Sequence, residues 1–501
     1  MNFKTINFKA GTLALVKETA QGTPVRPSAA SDFTAIQSDI SLTPAFENLT
    51  NEELKNSIIA GKVIIGTEQG SGSFTHYFRA GDAGNPPDYR LAIEAATGTQ
   101  KLIAGSEQAV AASPTPTVRQ FEVADASEYE KGDILLIQKT DGFELRPIKS
   151  VTGNLIELAF DLETAPNAGA LIGKPITYQL ENDSNLIPTL SAWYYLPQTA
   201  QLLAGIRVAG LDITADAGQL ITGAFALEGT GFYWNPLVVD ASNKFLDFDV
   251  SATEYNVSVA EKTYRDPHDL AEAIESAMNA AGSGVTFSVT YGNDGKYTIV
   301  GDSAFSLLWD TGTNNAATIG DLIGFDTAAD TGSGTSFESE DFIDLASGFT
   351  PEYDEADPIV AKGSLLLIGD QADNVCLNHS SASFSIGNTN ANLLDGCAET
   401  AIAGSLISDR ELTASVTSYL QPYEAAFFRR LRKGETVQFF YAAGERSGGQ
   451  PVKNKNFGAY MSHATITSLE IAEQDGNAIL NMELAGFAPE DSTQPGFIGF
   501  V

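Results

Sequence analysis

Basic residues are scarce in this sequence of 501 residues: Lys and Arg together number 29 against 64 Asp and Glu, a formal net charge of −35. Binding DNA by phosphate neutralisation needs clustered Lys and Arg, so that class of function is disfavoured from the outset. Charged residues make up only 19% of the chain, so the acidity reflects missing cations more than surplus carboxylates. Such a balance suits a surface that repels nucleic acid. The two cysteines, Cys376 and Cys397, are too few for a disulfide framework; reduced thiols are the plain reading, and whether the two pair stays open. Four histidines, no two at ligand spacing, argue against a His-based metal site. The turn Asn293-Asp294-Gly295 offers one carboxylate and no EF-hand spacing occurs, so calcium is unsupported. Neither a phosphate-cradling Gly-rich loop with Lys nor Gly-x-Ser-x-Gly is present. No cofactor, metal or catalytic residue is therefore expected. No apolar run reaches the ~18 residues of a membrane helix, and "MNFKTINFKAGTLALVKE" lacks the basic-then-apolar pattern of a signal peptide, so membrane insertion and a leader are not expected.

One catalytic motif needs weighing. "SLLWDTGTNNAATIGDLIGFDTAADTGS" holds Asp-Thr-Gly twice, at Asp310 and Asp330. An aspartic protease needs two carboxylates sharing a proton, each from an equivalent half of the fold. These two sit in one segment with nothing duplicated around them. A one-motif, homodimeric protease of retroviral type would fit the segment's size, but its Asp lies early in the domain and is followed by a late Ile-Gly-Arg-type segment. Here Asp310 lies late, and "TIGDLIG" lacks the Arg. The plain reading is a turn at Asp310–Gly312 in a stretch rich in Asp, Thr and Gly, and the chain is expected not to be an enzyme.

Organisation is more informative than motifs. The length implies two to four domains, and 43% hydrophobic residues are normal for a folded chain. "LDITADAGQLITGAFALEGTGF" from Leu211 and "LEIAEQDGNAILNMELAGF" from Leu469 share Leu, Ile and Gly at identical spacing: Leu211, Ile213, Gly218 and Leu469, Ile471, Gly476. Each reads as a β-hairpin with alternating apolar and polar residues around an acidic Gly-containing turn. The surroundings repeat in the same order. "AIQSDISLTP" (35–44) parallels "SASFSIGNTN" (381–390), and "GSGSFTHYF" (70–78) parallels "RELTASVTSYL" (410–420). A short helix follows, "PDYRLAIEAATG" (87–98) or "PYEAAFFRRLRKG" (422–434), opened by Pro and closed by Gly. Then come a strand, "TLSAWYYL" (189–196) or "ETVQFFYAAG" (435–444), and the matching hairpin. The ordered set predicts a duplicated β-rich module.

Two segments interrupt the modules. Residues 104–180 hold short strands with Asp-Gly and Gly-Asn turns, predicting a small inserted β-barrel. Residues 235–350 read strand, strand, helix, strand, strand. The helix has Asp266 as N-cap, Pro267 in its first turn, Leu270, Ile274, Ala277 and Ala281 on one face, and Gly282 closing it; a hairpin turns at Asp294-Gly295. The predicted fold is mainly β: two sandwich- or barrel-forming modules with one short helix each, 1–103 with 181–234 and 351–501, plus the small barrel (104–180) and an α+β domain (235–350).

Three local features have functional readings. "RRLRK" (Arg429, Arg430, Arg432, Lys433 around Leu431) is the densest basic cluster. It reads as a phosphate contact or as a helix end whose cations suit the C-terminal dipole and neighbouring carboxylates, and the second reading is the simpler. In so acidic a chain its partner is an acidic face of another copy. "AGERSGGQPVKNKNFG" (443–458) reads as a mobile loop, and "FENLTNEELKNSIIAGK" (46–62) as a helix-capable stretch or an arm ordered on assembly.

"LVKETAQGTPVRP", with Glu18, Gly22, Thr23 and Pro24, resembles the opening of tail tube proteins of long-tailed, non-contractile (siphovirus) bacteriophages. The two modules resemble the same family's fold, packed β-sheets flanked by one helix, over 1–98, 180–234 and 351–501. Residues 235–350 are similar to accessory repeat domains of phage structural proteins, the flagellum-seeking group among them. The resemblance implies a virion tail protein assembled in the host bacterial cytoplasm. In the family six modules form a ring, and stacked rings make a tube whose inner wall is a closed β-barrel. This sequence departs by carrying two modules, so three chains would complete a ring. The implied partners are the chain itself, tape-measure, terminator and distal tail proteins, and DNA passing without specific binding, with accessory domains on the tail exterior. Strand alternation sets Asp212 opposite Leu211 and Ile213, and Glu470 opposite Leu469 and Ile471; with Glu228 and Glu483 these are the candidate lumen-facing acids. The competing reading is an acidic, multi-domain β-rich cell-surface or adhesion protein.

Overall fold

The computed structural model describes every residue except 1–7, 50–62, 82–83, 104–106, 141, 341–342, 344, 346–347, 372–373, 399, 422–424 and 490–493. Most of the 46–62 stretch and Pro422, the expected helix opener, thus lie outside the described residues. Three α-helices occur among them: α1 (Arg90–Thr97), α2 (Pro267–Ala280) and α3 (Ala425–Lys433).

The strands pair in one scheme that occurs twice. Thr12–Lys17 lies between Phe33–Thr34 and Leu190–Leu196. Leu190–Leu196 pairs with the long strand Thr199–Asp216, which turns into Thr222–Gly229 and is extended by Ile64–Tyr77 and Ser41–Leu49. In the second stretch Leu365–Gly369 lies between Asn374–Cys376 and Thr436–Ser447. Thr436–Ser447 pairs with the long strand Gln450–Gln474, which turns into Asn477–Gly486 and is extended by Ile402–Tyr419 and His379–Leu394. Gly231–Trp234 and Gly496–Phe500 add to the two long strands at corresponding places. The correspondence holds in detail. Moving 258 residues along the chain carries Leu211 to Leu469 and the turn residue Gly218 (φ 79°) to Gly476 (φ 80°). It also carries the bulge between Val208 and Gly210 onto that between Ile466 and Ser468.

The two stretches meet edge to edge. Gly210–Asp216 pairs antiparallel with Ser381–Gly387 in seven consecutive pairs. The result is one eight-stranded antiparallel run, from Ser41–Leu49 at one edge to the 468–474 end of Gln450–Gln474 at the other. One face is apolar: Phe74, Phe225, Leu211, Phe384, Val416 and Met482 enter a single core. α1 packs against Thr199–Asp216 and α3 against Gln450–Gln474, so both helices cover that face.

The insert forms a six-stranded sheet in the order 108–109, 171–172, 134–139, 142–152, 155–158, 120–122, and the bridge Val110–Val123 joins its ends. Leu136, Leu145 and Phe160 dock it onto Phe440, Tyr460 and Phe497 of the second stretch. Residues 235–350 carry more strands than expected, with Phe245–Val250 and Thr253–Ser258 as an added hairpin. Asp266 caps α2, accepting from the amides of His268 (2.7 Å) and Asp269 (3.0 Å). Its buried stripe is Leu270, Ala271, Ile274 and Met278, with Ala277 and Ala281 only partly covered.

Several expectations need correction. Ile176–Leu180, counted with the insert, pairs with Gly98–Leu102 and Gly496–Phe500 and so belongs to the main sheets. The strand expected at 35–44 begins at Ser41, because the period-2 pattern upstream is broken by the turn before Ile40. α1 starts at Arg90 rather than Pro87, whose carbonyl accepts from the Arg90 amide in a turn. The stretch 443–458 is no mobile loop. Gly448 (φ 60°) and Gly449 (φ 84°) supply the left-handed pair of a two-residue turn, so Arg446–Ser447 pairs with Gln450–Pro451 in a hairpin.

A contact between Asp88 and Asp354 joins the two stretches. The Asp88 amide donates to the Asp354 carboxylate at 2.6 Å, and the Asp88 carboxylate accepts from the Ala35 amide at 3.1 Å. Burial, with the Asp354 charge adding to it, pushes the Asp88 carboxyl up to about 6. A carboxyl raised by folding contributes stability fully present below its unfolded pKa, near 4, and lost as pH rises through about 6. Asp88→Asn should therefore raise Tm at pH 8, by about 1–2 °C per kcal/mol recovered in a cooperative unit of this size, and give no gain at pH 4. Thermal melts at the two pH values check it; equal shifts at both would refute the assignment.

Candidate assembly surface

The polar face of the eight-stranded run is a continuous surface built from both stretches of the chain. Strand alternation that sends Leu211 and Ile213 inward sends Asp212, Thr214 and Asp216 outward. Cross-strand partners extend this face through Ser71, Ser73 and Thr75 on one side and Ser383, Ser385, Thr413 and Ser415 on the other. Asp212, Glu228, Glu470 and Glu483 are all exposed on it. The sequence reading missed three more acids there: Asp216, Asp409 and Glu411. Asp216 was available from the same alternation as Asp212. Asp409 and Glu411 become neighbours only once Ile402–Tyr419 is known to pair with His379–Leu394. Ser, Thr, Gly, Ala, Asn and Gln fill most of the other outward positions of the paired strands, and Lys and Arg fill none of the exposed ones; Arg207, opposite Glu228, is buried and donates to the carbonyls of Ser184 (3.0 Å) and Ile187 (2.7 Å). Glu228 is further held at the joint, accepting from Asn390 Nδ2 at 2.8 Å.

The basic cluster is the C-terminal end of α3, where cations suit the dipole. Arg429, Arg432 and Lys433 are exposed, and Arg429 and Lys433 reach Glu435 at 3.6 and 3.5 Å. Arg430 is buried against the core side of the helix, so its role as a surface contact is corrected. Asp310 and Asp330 do not form a proton-sharing pair. Asp330 accepts from the amides of Asp310 (2.8 Å) and Thr311 (3.1 Å) and from the Thr311 hydroxyl. Burial raises its carboxyl, but these hydrogen bonds outweigh it and hold the group below the usual carboxylate range. Cys376 and Cys397 are both exposed and unpaired.

The Glu18–Pro24 segment is a structural lock. The Glu18 carboxylate accepts from the Gly22 amide (2.9 Å), the Ser191 hydroxyl (2.8 Å) and the Gly205 amide (2.8 Å). Gly22 has a left-handed backbone (φ 76°), and Trp193 Nε1 donates to the Val25 carbonyl at 2.7 Å. One buried acid thus ties the chain after the first strand to two strands of the body. Gln21 carries the tie to the second stretch, donating to the Ser405 hydroxyl at 2.7 Å and accepting from the Ser405 amide at 3.0 Å.

A family model described as phage tail tube protein matches residues 9–259, half of the chain, and takes in this lock, the first hairpin and the insert. The chain belongs to the phage tail tube protein family. No curated protein matches it. Among solved structures it is similar to the SPP1 tail tube, determined by solid-state NMR and cryo-EM, at 13% identity over 26% of this chain and 75% of that one, TM-score 0.20. The virion of a native gene transfer agent particle gives 12% identity over 27% and 95%, TM-score 0.19. The anti-feeding prophage baseplate gives 15% over 24% and 86%, TM-score 0.20.

Glu18→Ala would leave the buried Gly205 amide, the half-buried Gly22 amide and the buried Ser191 hydroxyl without that acceptor. Unsatisfied buried donors cost about 1–3 kcal/mol each, partly relieved by water, so a loss of about 3 kcal/mol is expected in chemical denaturation. A loss under about 0.5 kcal/mol would show the lock to be dispensable.

Proposed function

We propose that this chain is a non-enzymatic virion protein that builds the tail tube of a long-tailed, non-contractile phage, three copies closing a ring and rings stacking into a conduit for DNA. Each copy supplies two tube modules, 1–103 with 176–234 and 351–501. The barrel at 104–175 and the domain at 235–350 lie on the outside as accessory elements. The observation that carries the reading is the eight-stranded run itself, apolar on one face and, on the other, bearing exposed acids with no exposed Lys or Arg. Turned toward the bore, Asp212, Glu228, Glu470 and Glu483 repel phosphate and let the genome pass without binding. The exposed cations of α3 face an acidic surface of a neighbouring copy. Tape-measure, terminator and distal tail proteins meet the ends of the tube, and assembly takes place in the cytoplasm of the infected cell.

Electron microscopy of the purified protein tests this. Hollow tubes whose rings hold three bilobed subunits are expected. Six single-lobed subunits per ring would overturn the two-module assignment, and monomers that refuse to polymerise even with tail partners would overturn the function. In phage carrying Asp212→Asn with Glu470→Gln, tubes should form normally while DNA ejection slows several-fold; unchanged ejection kinetics would move those acids off the bore.

A further inference from the structure

Resting on that tube reading, we infer that the joint inside one chain is the template for the joint between chains. The strand end 468–474 of one copy pairs antiparallel with Ser41–Ala45 of the next, Glu470 opposite Thr43. The eight-stranded run ends in two open edges. Among the described residues, Ser41–Leu49 pairs only with Ile64–Tyr77, and the 468–474 end pairs only with Asn477–Gly486. Their counterparts in the other stretch are the two strands that meet at Gly210–Asp216 and Ser381–Gly387. The register follows by transfer. Leu211 corresponds to Leu469 through the shared turn and bulge. Phe74 corresponds to Val416, because each is the partner of the residue opposite those leucines, Phe225 and Met482. Carried one strand further, Thr43 corresponds to Ser385. Since Asp212 faces Ser385 within the chain, Glu470 faces Thr43 of the next copy.

Burial supports the transfer independently. Ile213 and Ile471 occupy the same place, yet Ile213 is 2% exposed inside the joint and Ile471 is 54% exposed at the open edge. The arms beyond the joint behave alike. Asn388, buried, donates to the carbonyls of Ala96 (3.0 Å) and Val208 (2.8 Å), while Arg410 donates to the Thr97 carbonyl at 3.1 Å, so this arm caps the end of α1. The matching arm leaves Phe46, the counterpart of Asn388, 46% exposed with Leu49, Ile64 and Ile65 beside it. The helix end that arm would reach is that of α3, where Arg432 and Lys433 are exposed. The counterpart of Arg410 is Glu68, which Arg265 also holds at 2.6 Å. A cation on a bare helix end at one joint is thus replaced by an acid on a cationic helix end at the other. Pro44, opposite Leu469, removes at most one hydrogen bond from the ladder and blunts the edge against casual pairing.

Disulfide trapping in the full chain, with Cys376→Ser and Cys397→Ser as background, tests the register. Facing residues of an antiparallel pair lie within disulfide reach. Asp212→Cys with Ser385→Cys is the internal standard and should oxidise within one chain. Thr43→Cys with Glu470→Cys should oxidise between chains, giving covalent species that stop at three copies. Ser41→Cys with Glu470→Cys, slipped by two residues, should stay largely monomeric. Rings or tubes in which only the slipped pair cross-links, or neither does while the standard oxidises, would overturn the register and leave the tube reading standing. A Thr43–Glu470 disulfide within one chain would mean that the sheet closes on itself and would overturn the inter-chain joint. Absence of rings together with absence of cross-links would overturn both.

Discussion

Every strand edge in this chain poses the same demand: backbone N–H and C=O groups must find partners, and an unpaired row of them is a template for uncontrolled association. The pairing of Gly210–Asp216 with Ser381–Gly387 meets that demand where the two halves touch. Much follows from it. It makes two four-stranded units into one eight-stranded run, aligns their apolar faces over a shared core, and brings the arm with Asn388 and Arg410 onto the end of α1. Among the described residues it also leaves one open edge at each end of the run, and a closed cylinder of copies would remove both.

Composition and topology explain one another. A strand buried on one face needs only half its residues to be apolar, and the rest are free to suit solvent. Here they are Ser, Thr and acids, with cations withheld. Several cations elsewhere in the chain are held by carboxylates, as Lys101 sits beside Asp133 at 3.2 Å and Arg119 beside Asp161 at 3.0 Å. Low total charge with a strong negative bias is thus a property of where cations are missing.

Much of the fold was legible because it is local. The hairpins at Gly218 and Gly476 follow from alternation around a Gly that must adopt a positive φ, and α2 from its Asp266 cap and apolar stripe. What stayed hidden depends on distant partners. Phe33–Thr34 and Asn374–Cys376 are too short to show a period, and only pairing defines them. The hairpin at Gly448-Gly449 read as a loop because its strands alternate polar residues with few apolar ones. Asp212, Glu228, Glu470 and Glu483 were legible as outward-facing residues. Their common face was not, because it depends on a joint between residues some 170 apart in sequence. Arg430 was misread for the same reason, since a run of cations does not say which one the helix turns inward.

Fusing two units in one chain also lets the two joints differ. The internal joint carries a partly buried cation: burial pulls the Arg410 guanidinium down to about 10, and it stays charged at neutral pH while bonded to helix carbonyls and to Asn388. A partly buried charge with these donors satisfied is costly to break, which suits a contact within one chain. A joint between copies must form from folded chains carrying the same negative charge, whose mutual repulsion works against every encounter. Opposed local charges offset that repulsion, and a limited apolar patch supplies the remaining attraction without making the free chain sticky. The contrast between Arg410 and Glu68, and between Asn388 and Phe46, is what those two demands would select at otherwise equivalent positions.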